Sequence, residues 1–338
     1  MKKSKLRQAL QFILFFGLGL GLMYWQFSGF TPKQKEDFFT ALKTADYKWF
    51  ALAVFVGALA HLSRAIRWQQ LLYPLQRKAG LGNRFYAVMI GYLANYGLPR
   101  SGEVIRGGLL LESDEVPFSE AFGTIVVERI VDTLCLLVVF VLVLLFEFSQ
   151  LKTLWVQYIW NPMLLKFSTL AGNPTKLIFI IAAVVVFFGI LIFFRKKIGK
   201  FFTGKIGSFL NGFKNGILSV RKVPNPGWFI FHSLFIWAGY LTSLYLCFFC
   251  FPLTSVLSIN DALVILLFGT FGVIFTPGGI GLYQIIVTGI IALLLHLEVN
   301  AQAAAPFAWL SWGAQVATVI TFCGVAMALK PLLNRLNQ

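Results

Sequence analysis

The sequence predicts an all-α polytopic membrane protein, organised as a single integral membrane domain over residues 1–338. Hydrophobic residues make up 58% of the 338 residues, charged residues make up 12%, and the mean hydropathy is +0.78. Water-soluble domains of this size do not have such a composition. The segments between the apolar runs are too short for a separate soluble domain of about 100 residues. The function is therefore expected within the bilayer or at its surfaces.

Six apolar runs are long enough to cross about 30 Å of hydrocarbon as full transmembrane helices. These runs lie at about 6–27, 48–72, 119–146, 175–195, 228–251 and 306–330. The first run follows a basic N-terminus and lacks a small-x-small cleavage pattern. This favours an uncleaved signal anchor over a cleaved signal peptide.

The positions of lysine and arginine predict the orientation of these spans. Residues 195–222 contain eight basic residues and no acid, and segments of this kind remain in the cytoplasm. Both termini are then expected in the cytoplasm of a cell membrane. Over about 198–222, apolar residues recur at steps of three and four, which predicts an amphipathic helix on the membrane surface. A solvated basic loop remains the alternative for this segment.

Two further apolar regions, at about 85–111 and 261–296, are interrupted and predict re-entrant or broken helical hairpins. The interruptions read Pro99-Arg100-Ser101-Gly102-Glu103 and Thr276-Pro277-Gly278-Gly279-Ile280-Gly281. Each flanking half is too short to cross the bilayer, and Pro and Gly disfavour a continuous helix. Two short complete helices remain the alternative for 261–296. The similar breaks favour an inverted repeat whose hairpins enter from opposite faces, as in many transporters.

Charged residues inside apolar stretches are the most informative feature of the chain. There are seven of them: Arg64, Arg67, Glu103, Arg106, Glu128, Arg129 and Asp132. A charge near the bilayer centre costs about 2.5–3.5 kcal/mol on insertion scales, so such residues normally face a bundle interior and serve a substrate, an ion or a proton. The sequence therefore predicts a polar site within the membrane.

Helical spacing indicates how these charges pair. Glu128 and Asp132 are four residues apart and share a face, and Arg129 is placed to pair with Asp132. Arg64 and Arg67 share a face of another helix. Arg67 is expected to reach the cytoplasmic interface as an anchor. Arg64 is the stronger functional candidate, and structural pairing with Glu128 or Asp132 is the alternative.

The excess of arginine predicts an anionic substrate. Four arginines stand against three carboxylates, and Arg100 adds a further cation at the tip of the first hairpin. Guanidinium groups bind phosphate oxygens in a forked geometry that ammonium groups do not match. A lipid with a phosphate headgroup is therefore the predicted substrate class. The carboxylates either neutralise the arginines in an empty site or exchange protons, and both roles remain open.

Four motifs together relate the chain to a known family. They are Arg64-x-x-Arg67-Trp68, Pro99-Arg100-Ser101-Gly102-Glu103-x-x-Arg106, Glu128-Arg129-x-x-Asp132 and Pro277-Gly278-Gly279-x-Gly281. With them, nearly the whole chain resembles the flippase-type membrane domain of lysylphosphatidylglycerol synthases, which also occurs as stand-alone membrane proteins. The resemblance implies a polytopic domain that moves lipids between leaflets. In two-part members a soluble domain makes the aminoacyl lipid, and no such activity is expected of this chain.

One residue departs from the family pattern. The Pro-Gly-Gly motif is usually followed by Glu, whereas Gln284 stands at that place here, and an amide does not titrate. This member is therefore expected to differ in coupling or in substrate, so aminoacylated lipids, undecaprenyl-linked sugars and ordinary anionic phospholipids all remain candidates. The predicted substrate-binding residues are Arg64, Arg67, Arg100, Glu103, Arg106, Glu128, Arg129, Asp132, Pro277, Gly278, Gly279, Gly281 and Gln284.

Two other classes of protein remain open. An integral-membrane glycosyltransferase with a polyprenyl-phosphate donor needs acids at the outer face, whereas the dense acidic cluster at 112–115 is predicted in the cytoplasm. A scaffold would use the buried charges only to hold helices together. We expect no catalytic residues, no metal and no cofactor, with membrane lipids as partners and no nucleic acid. Gly17, Gly19 and Gly21 permit close helix contacts in a homo-oligomer.

Overall fold

The computed structural model describes residues 16–98, 100–156, 160–165, 222–297 and 301–335, and every regular element in these residues is helical. The predicted all-α fold class is confirmed. The predicted span at 175–195, almost all of the amphipathic segment at 198–222 and residues 6–15 of the first span lie outside the described residues.

The helices are numbered in chain order. They are α1 (residues 16–28), α2 (Pro32–Thr44), α3 (Tyr47–Leu72), α4 (Leu81–Gly97), α5 (Ser101–Asp114), α6 (Phe118–Trp155), α7 (Pro226–Phe248), α8 (Ile259–Phe275), α9 (Leu282–Leu294) and α10 (Ala305–Arg335). Short 3-10 turns lie at Tyr73–Leu75, Pro277–Gly279 and Ala301–Ala304.

The chain forms two compact units, one of residues 1–143 with 220–338 and one of residues 144–219. The ion cluster and the two hairpins described below lie in the first unit. In the second unit, α6 continues to Trp155 through a non-helical backbone at Glu147, and residues 161–165 are helical.

Four of the described helices are long and apolar enough to cross a membrane. They cover Tyr47–Leu75, Phe118–Phe148, Pro226–Phe248 and Gln302–Leu332. These helices match the spans predicted at 48–72, 119–146, 228–251 and 306–330. The apolar runs identified these elements because each run is uninterrupted over the length that a bilayer requires.

Helix α2 was not among the predicted elements. It begins with a capping box in which the Thr31 side chain accepts from the backbone of Gln34 and the Gln34 side chain accepts from the backbone of Thr31. Pro32 occupies the first turn, a favoured position because it has no N–H to leave unbonded. The buried Phe38 packs against Phe27 and Trp309. These start signals are present in the sequence, but the helix is amphipathic and short and so gives no hydropathy signal.

Small residues allow α3 and α7 to pack closely. A Cβ added to Gly239 would lie 2.9 Å from the Cβ of Ala60, so only glycine fits this contact. One turn further along α7, the Ser243 hydroxyl donates to the Ala53 carbonyl at 2.8 Å. Close contacts of this kind are typical of helices packed in membranes. The pairing places one face of α7 beside the arginines of α3.

The two interrupted regions are helix–break–helix hairpins, as predicted, and each is held together at glycines. In the hairpin α4–α5, a Cβ added to Gly102 would overlap the carbonyl oxygen of Gly91, and the Gly102 N–H donates to Asn95 Oδ1 at 2.8 Å. In the hairpin α8–α9, a Cβ added to Gly272 would lie 2.8 Å from Tyr283 Cα. The first hairpin covers residues 81–114, somewhat more than predicted. Re-entry of either hairpin from one face of the membrane stays a prediction.

The turns of the two hairpins meet. Gly278, in the second turn, has φ +56° and lies so close to the Tyr96 ring of α4 that a Cβ would overlap it. The Trp312 indole N–H of α10 donates to the Gly278 carbonyl at 2.9 Å. Helix α1 contacts the same turn, because a Cβ on Gly19 would lie 2.9 Å from the Ile280 side chain. The break of the second hairpin thus lies against the end of α4 in the fold.

A buried ion cluster as the candidate functional site

Seven charged side chains from three helices form one network, which we call the ion cluster. Its members are Arg64 and Arg67 of α3, Glu103 and Arg106 of α5, and Glu128, Arg129 and Asp132 of α6. These are the seven residues that the sequence singled out. They meet because α3, α5 and α6 each present charges toward a shared interior.

Glu128 is the most heavily bonded carboxylate of the ion cluster. Its oxygens accept from Arg106 Nη1 at 2.9 Å and from Arg106 Nη2 at 3.0 Å, a forked pair. Arg64 Nη1 also donates to Glu128 Oε1 at 2.6 Å. The Glu128 side chain is fully buried, and those of Arg64 and Arg106 are 2% and 1% exposed. The pairing of Arg64 with Glu128, which was the alternative expected for Arg64, is present, whereas the forked pair with Arg106 was not foreseen.

Asp132 joins the two arginines of α3. Arg64 Nη1 donates to one of its oxygens at 2.6 Å, and Arg67 Nη2 donates to the other at 2.9 Å. The Arg67 side chain is 0% exposed. The prediction that Arg67 extends to the interface was wrong, because the Asp132 carboxylate and the Ser233 hydroxyl give its guanidinium closer partners inside the bundle.

Arg129 differs from the other three arginines. Its side chain is 38% exposed, its Nη2 lies 3.1 Å from Glu103 Oε1, and its Nη1 is 3.9 Å from Asp132. The predicted pairing of Arg129 with Asp132 is thus present but long, and Glu103 is the nearer partner. The ion cluster is therefore buried from solvent around Glu128 and exposed to solvent at Arg129, which is its open edge.

Hydroxyl and aromatic groups that the sequence reasoning missed complete the surroundings. Arg64 Nη2 donates to the Tyr240 hydroxyl at 3.2 Å, and Arg67 Nη1 donates to Ser233 Oγ at 2.9 Å. Ser233 and Tyr240 are seven residues apart and lie on one face of α7. That spacing was a signal, although serine and tyrosine are common enough in membrane helices to carry little weight alone. The Arg106 guanidinium also lies 4.3 Å from the centre of the Trp68 ring, at cation–π distance.

A glycine makes room for Arg106. A Cβ added to Gly91 of α4 would lie 2.6 Å from Arg106 Cγ. The Arg106 side chain therefore passes directly over the backbone of its hairpin partner on the way to Glu128. The close packing of α4 and α5 fixes the depth at which this arginine enters the ion cluster.

Several polar atoms of the ion cluster are buried without a hydrogen-bond partner. They are the Nε atoms of Arg64, Arg67, Arg106 and Arg129 and the Oε2 atom of Glu103. Buried donors and acceptors left unbonded cost about 1–3 kcal/mol each. The cluster therefore retains bonding capacity for another polar group.

The remaining predicted site residues lie apart from these ion pairs. Arg100 is exposed at the first hairpin turn, with φ +62°, and forms none of the ion pairs found in the described residues. Pro99 lies outside the described residues. The second turn, Pro277 to Gly281, is described above. Gln284 is fully buried on α9, and both of its amide atoms lack a hydrogen-bond partner.

The arrangement can bind an anion through guanidinium groups in a partly buried site. Four guanidiniums face three carboxylates, so one positive charge is not neutralised within the cluster. Forked donors of this kind match the oxygens of phosphate or carboxylate. The fold and the site thus define a polytopic helical membrane protein with an intramembrane, arginine-rich ion cluster.

The comparison with protein families agrees with that class. The chain matches the family described as the lysylphosphatidylglycerol synthase TM region over residues 9–323. The match covers most of the chain, and the protein belongs to this family. The predicted resemblance is confirmed.

One further membrane protein is similar to part of the chain. It is a UPF0104 membrane protein of Methanocaldococcus jannaschii, 32% identical over 89 residues. The match covers 25% of this chain and 26% of that protein. No solved structure matches the chain.

Proposed function

We propose that the protein is a lipid flippase, which moves a phosphate-bearing lipid between membrane leaflets by passing its headgroup through the ion cluster. The observation that carries the proposal is the surplus of guanidinium over carboxylate in a buried cluster with one open edge, at Arg129. A headgroup that leaves water needs polar partners within the hydrocarbon. The cluster offers them with a positive surplus, which fits an anionic phosphate.

The family of the chain supports this proposal, because the family is described as a transmembrane region and a flippase role is plausible for such a domain. The meeting of the two hairpin turns also supports it. Transporters commonly bring broken helices together near the midplane to form a binding site. In this proposal the partners are membrane lipids, the protein acts without catalytic residues or a cofactor, and it lies in the cell membrane with both termini in the cytoplasm.

Leaflet exchange of a fluorescent phosphatidylglycerol in proteoliposomes tests the proposal. The lipid that remains in the inner leaflet is protected from a membrane-impermeant quencher, so flipping shows as a loss of the protected fraction. We expect faster loss with the wild-type protein than in protein-free liposomes. An Arg64→Ala, Glu128→Ala double variant should lose this exchange because it removes the central pair of the cluster.

A matched control is available in the same molecule. Arg77 and Glu120 form an ion pair at 2.7 Å, with side chains 41% and 32% exposed. The Arg77→Ala, Glu120→Ala variant therefore removes an arginine and a glutamate outside the ion cluster, and it should exchange lipid at the wild-type rate. Equal loss of exchange in both double variants, or no exchange by the wild-type protein, would contradict the proposal.

A scaffold role is the second candidate, because one observation favours it. Arg64, Arg67 and Arg106 are each paired and almost fully buried, as expected of a permanent structural lock. A scaffold predicts that the Arg64→Ala, Glu128→Ala variant loses its fold and that the wild-type protein moves no lipid. A flippase predicts that the wild-type protein moves lipid whatever the stability of the variant.

A further inference from the structure

The ion pair between Arg129 and Glu103 differs in three ways from the rest of the ion cluster. Its side chains are 38% and 17% exposed, whereas those of Arg64, Arg67 and Arg106 are 0–2% exposed. Its single contact, at 3.1 Å, is longer than the forked pair of Arg106 with Glu128. It also leaves one carboxylate oxygen, Glu103 Oε2, buried and unbonded, whereas both oxygens of Glu128 and of Asp132 accept hydrogen bonds. This pair is the weakest and most accessible part of the cluster.

Among the described residues, no fourth carboxylate pairs with the four guanidiniums. Of the 13 acidic residues in the sequence, Glu298 is the one outside the described residues. Within the described residues, the carboxylates paired with the four guanidiniums are those of Glu103, Glu128 and Asp132. A buried charge without a partner is strongly disfavoured. An anion from outside the chain would neutralise the cluster.

Arg84 is a buried arginine whose hydrogen-bond donors are satisfied by the backbone and not by a carboxylate. Its side chain is buried, and its donors reach the backbone carbonyls of Ala79, Ala65 and Ile66. Arg129 has no such carbonyl partners among the described hydrogen bonds. Its guanidinium therefore keeps donors for a ligand, including the unbonded Nε.

We infer that Arg129 is the group that holds the phosphate of the substrate, and that Glu103 is the carboxylate exchanged for that phosphate. This inference rests on the proposed flippase function. In the empty site Arg129 pairs with Glu103, and a phosphate displaces the carboxylate by offering a second oxygen to the guanidinium fork. Because Glu103 remains nearby, the pair determines how many negative charges the site accepts.

The net charge of the ion cluster predicts which class of phosphate it accepts. A surplus of one positive charge matches a phosphodiester, which carries a single negative charge. A phosphomonoester carries about 1.5 to 2 negative charges at pH 7. Its second charge would face Glu103 and Asp132 in a region of low dielectric, where like charges repel strongly. The wild-type site is therefore expected to favour diesters over monoesters.

The test compares two fluorescent lipids that carry the same acyl chains and dye, phosphatidylglycerol and phosphatidate. With wild-type proteoliposomes at pH 7.5, we expect phosphatidylglycerol to exchange about tenfold faster or more, the ratio that 1.4 kcal/mol produces. Glu103→Gln raises the surplus to two charges and should lower this preference by about tenfold. Arg129→Gln should slow both lipids, and Arg129→Lys should restore only part of the rate because it lacks the fork.

Glu112→Gln is the matched control, since Glu112 lies on the same helix as Glu103, is exposed and forms none of the described ion pairs. It should leave both rates and their ratio unchanged. The wild-type ratio tests the inference even if a variant fails to fold. No movement of either lipid would overturn the proposed function itself. Equal rates for the two lipids, or an unchanged ratio in folded Glu103→Gln, would leave lipid movement standing and overturn the roles of Arg129 and Glu103.

Discussion

The hairpins α4–α5 and α8–α9 share a design, since both fold back at a break containing Pro and Gly and both join their helices at glycines. Their polar chemistry differs. The first hairpin contributes Glu103 and Arg106 to the ion cluster, where other helices supply opposite charges. The second contributes Gln284, which is neutral, buried and unbonded. Apart from Asp261, which caps the start of α8, charge is thus confined to the hairpin that has charged neighbours, because a buried charge needs a partner far more than an amide does.

The largest effect on stability should come from removing Glu128, which binds Arg106 of the first hairpin. Glu128→Ala leaves the buried guanidinium of Arg106 without its carboxylate and leaves Arg64 with Asp132 alone, and we expect it to lower the free energy of unfolding by about 3–5 kcal/mol. Thermal and denaturant unfolding in detergent micelles measures this. Glu112→Ala, on the exposed face of α5, is the control and should change stability little. Similar losses in both variants would contradict a stabilising role of the cluster.

The glycine contacts provide the next test. Gly102→Ala places a methyl group against the Gly91 carbonyl and should destabilise by about 1–3 kcal/mol through overpacking. Gly108→Ala, on the same helix, enters open space and should stabilise by about 0.5–1 kcal/mol. The same unfolding assay compares them. If both substitutions changed the free energy of unfolding in the same direction, the hairpin would not be as tightly packed as described.

The second hairpin should respond in the opposite direction to loss of its polar group. Gln284→Leu removes two unbonded buried atoms, and we expect a gain of about 1–2 kcal/mol in the free energy of unfolding. Gln284→Glu should be less stable than the wild type, because it adds a charge where no ion pair receives it. A loss of stability in Gln284→Leu would indicate that the amide is bonded after all.

The smallest effect concerns the contact that joins α10 to the second turn. Trp312→Phe loses the hydrogen bond to the Gly278 carbonyl and should destabilise by about 0.5–1.5 kcal/mol. Trp228→Phe is the control, since Trp228 is 45% exposed and stacks on Phe231. Equal changes in the two variants would show that the loss comes from ring size rather than from the hydrogen bond.

The helices and breaks could be predicted because their signals are local. An uninterrupted apolar run or a Pro-Gly-Gly turn is visible within about 20 residues. A charged residue inside an apolar run is equally visible. The contact of Arg64 with Glu128 followed from charge complementarity. The contacts of Arg106 with Glu128 and of Arg129 with Glu103 did not follow, because they depend on how far α5 is rotated and sunk against α4. The Gly91–Gly102 contact sets that position, and no local pattern reveals it.

The contact of Gly278 with the Tyr96 ring has a mechanical consequence. There is no clearance between the two turns, since even a methyl group would overlap the ring. Closely packed interiors pass a displacement on instead of absorbing it. A shift of the second turn toward α4 therefore has to displace Tyr96, and with it the start of α5, from which Glu103 and Arg106 extend. The second hairpin can in this way change the spacing of the charged groups without forming any of the described ion pairs with them.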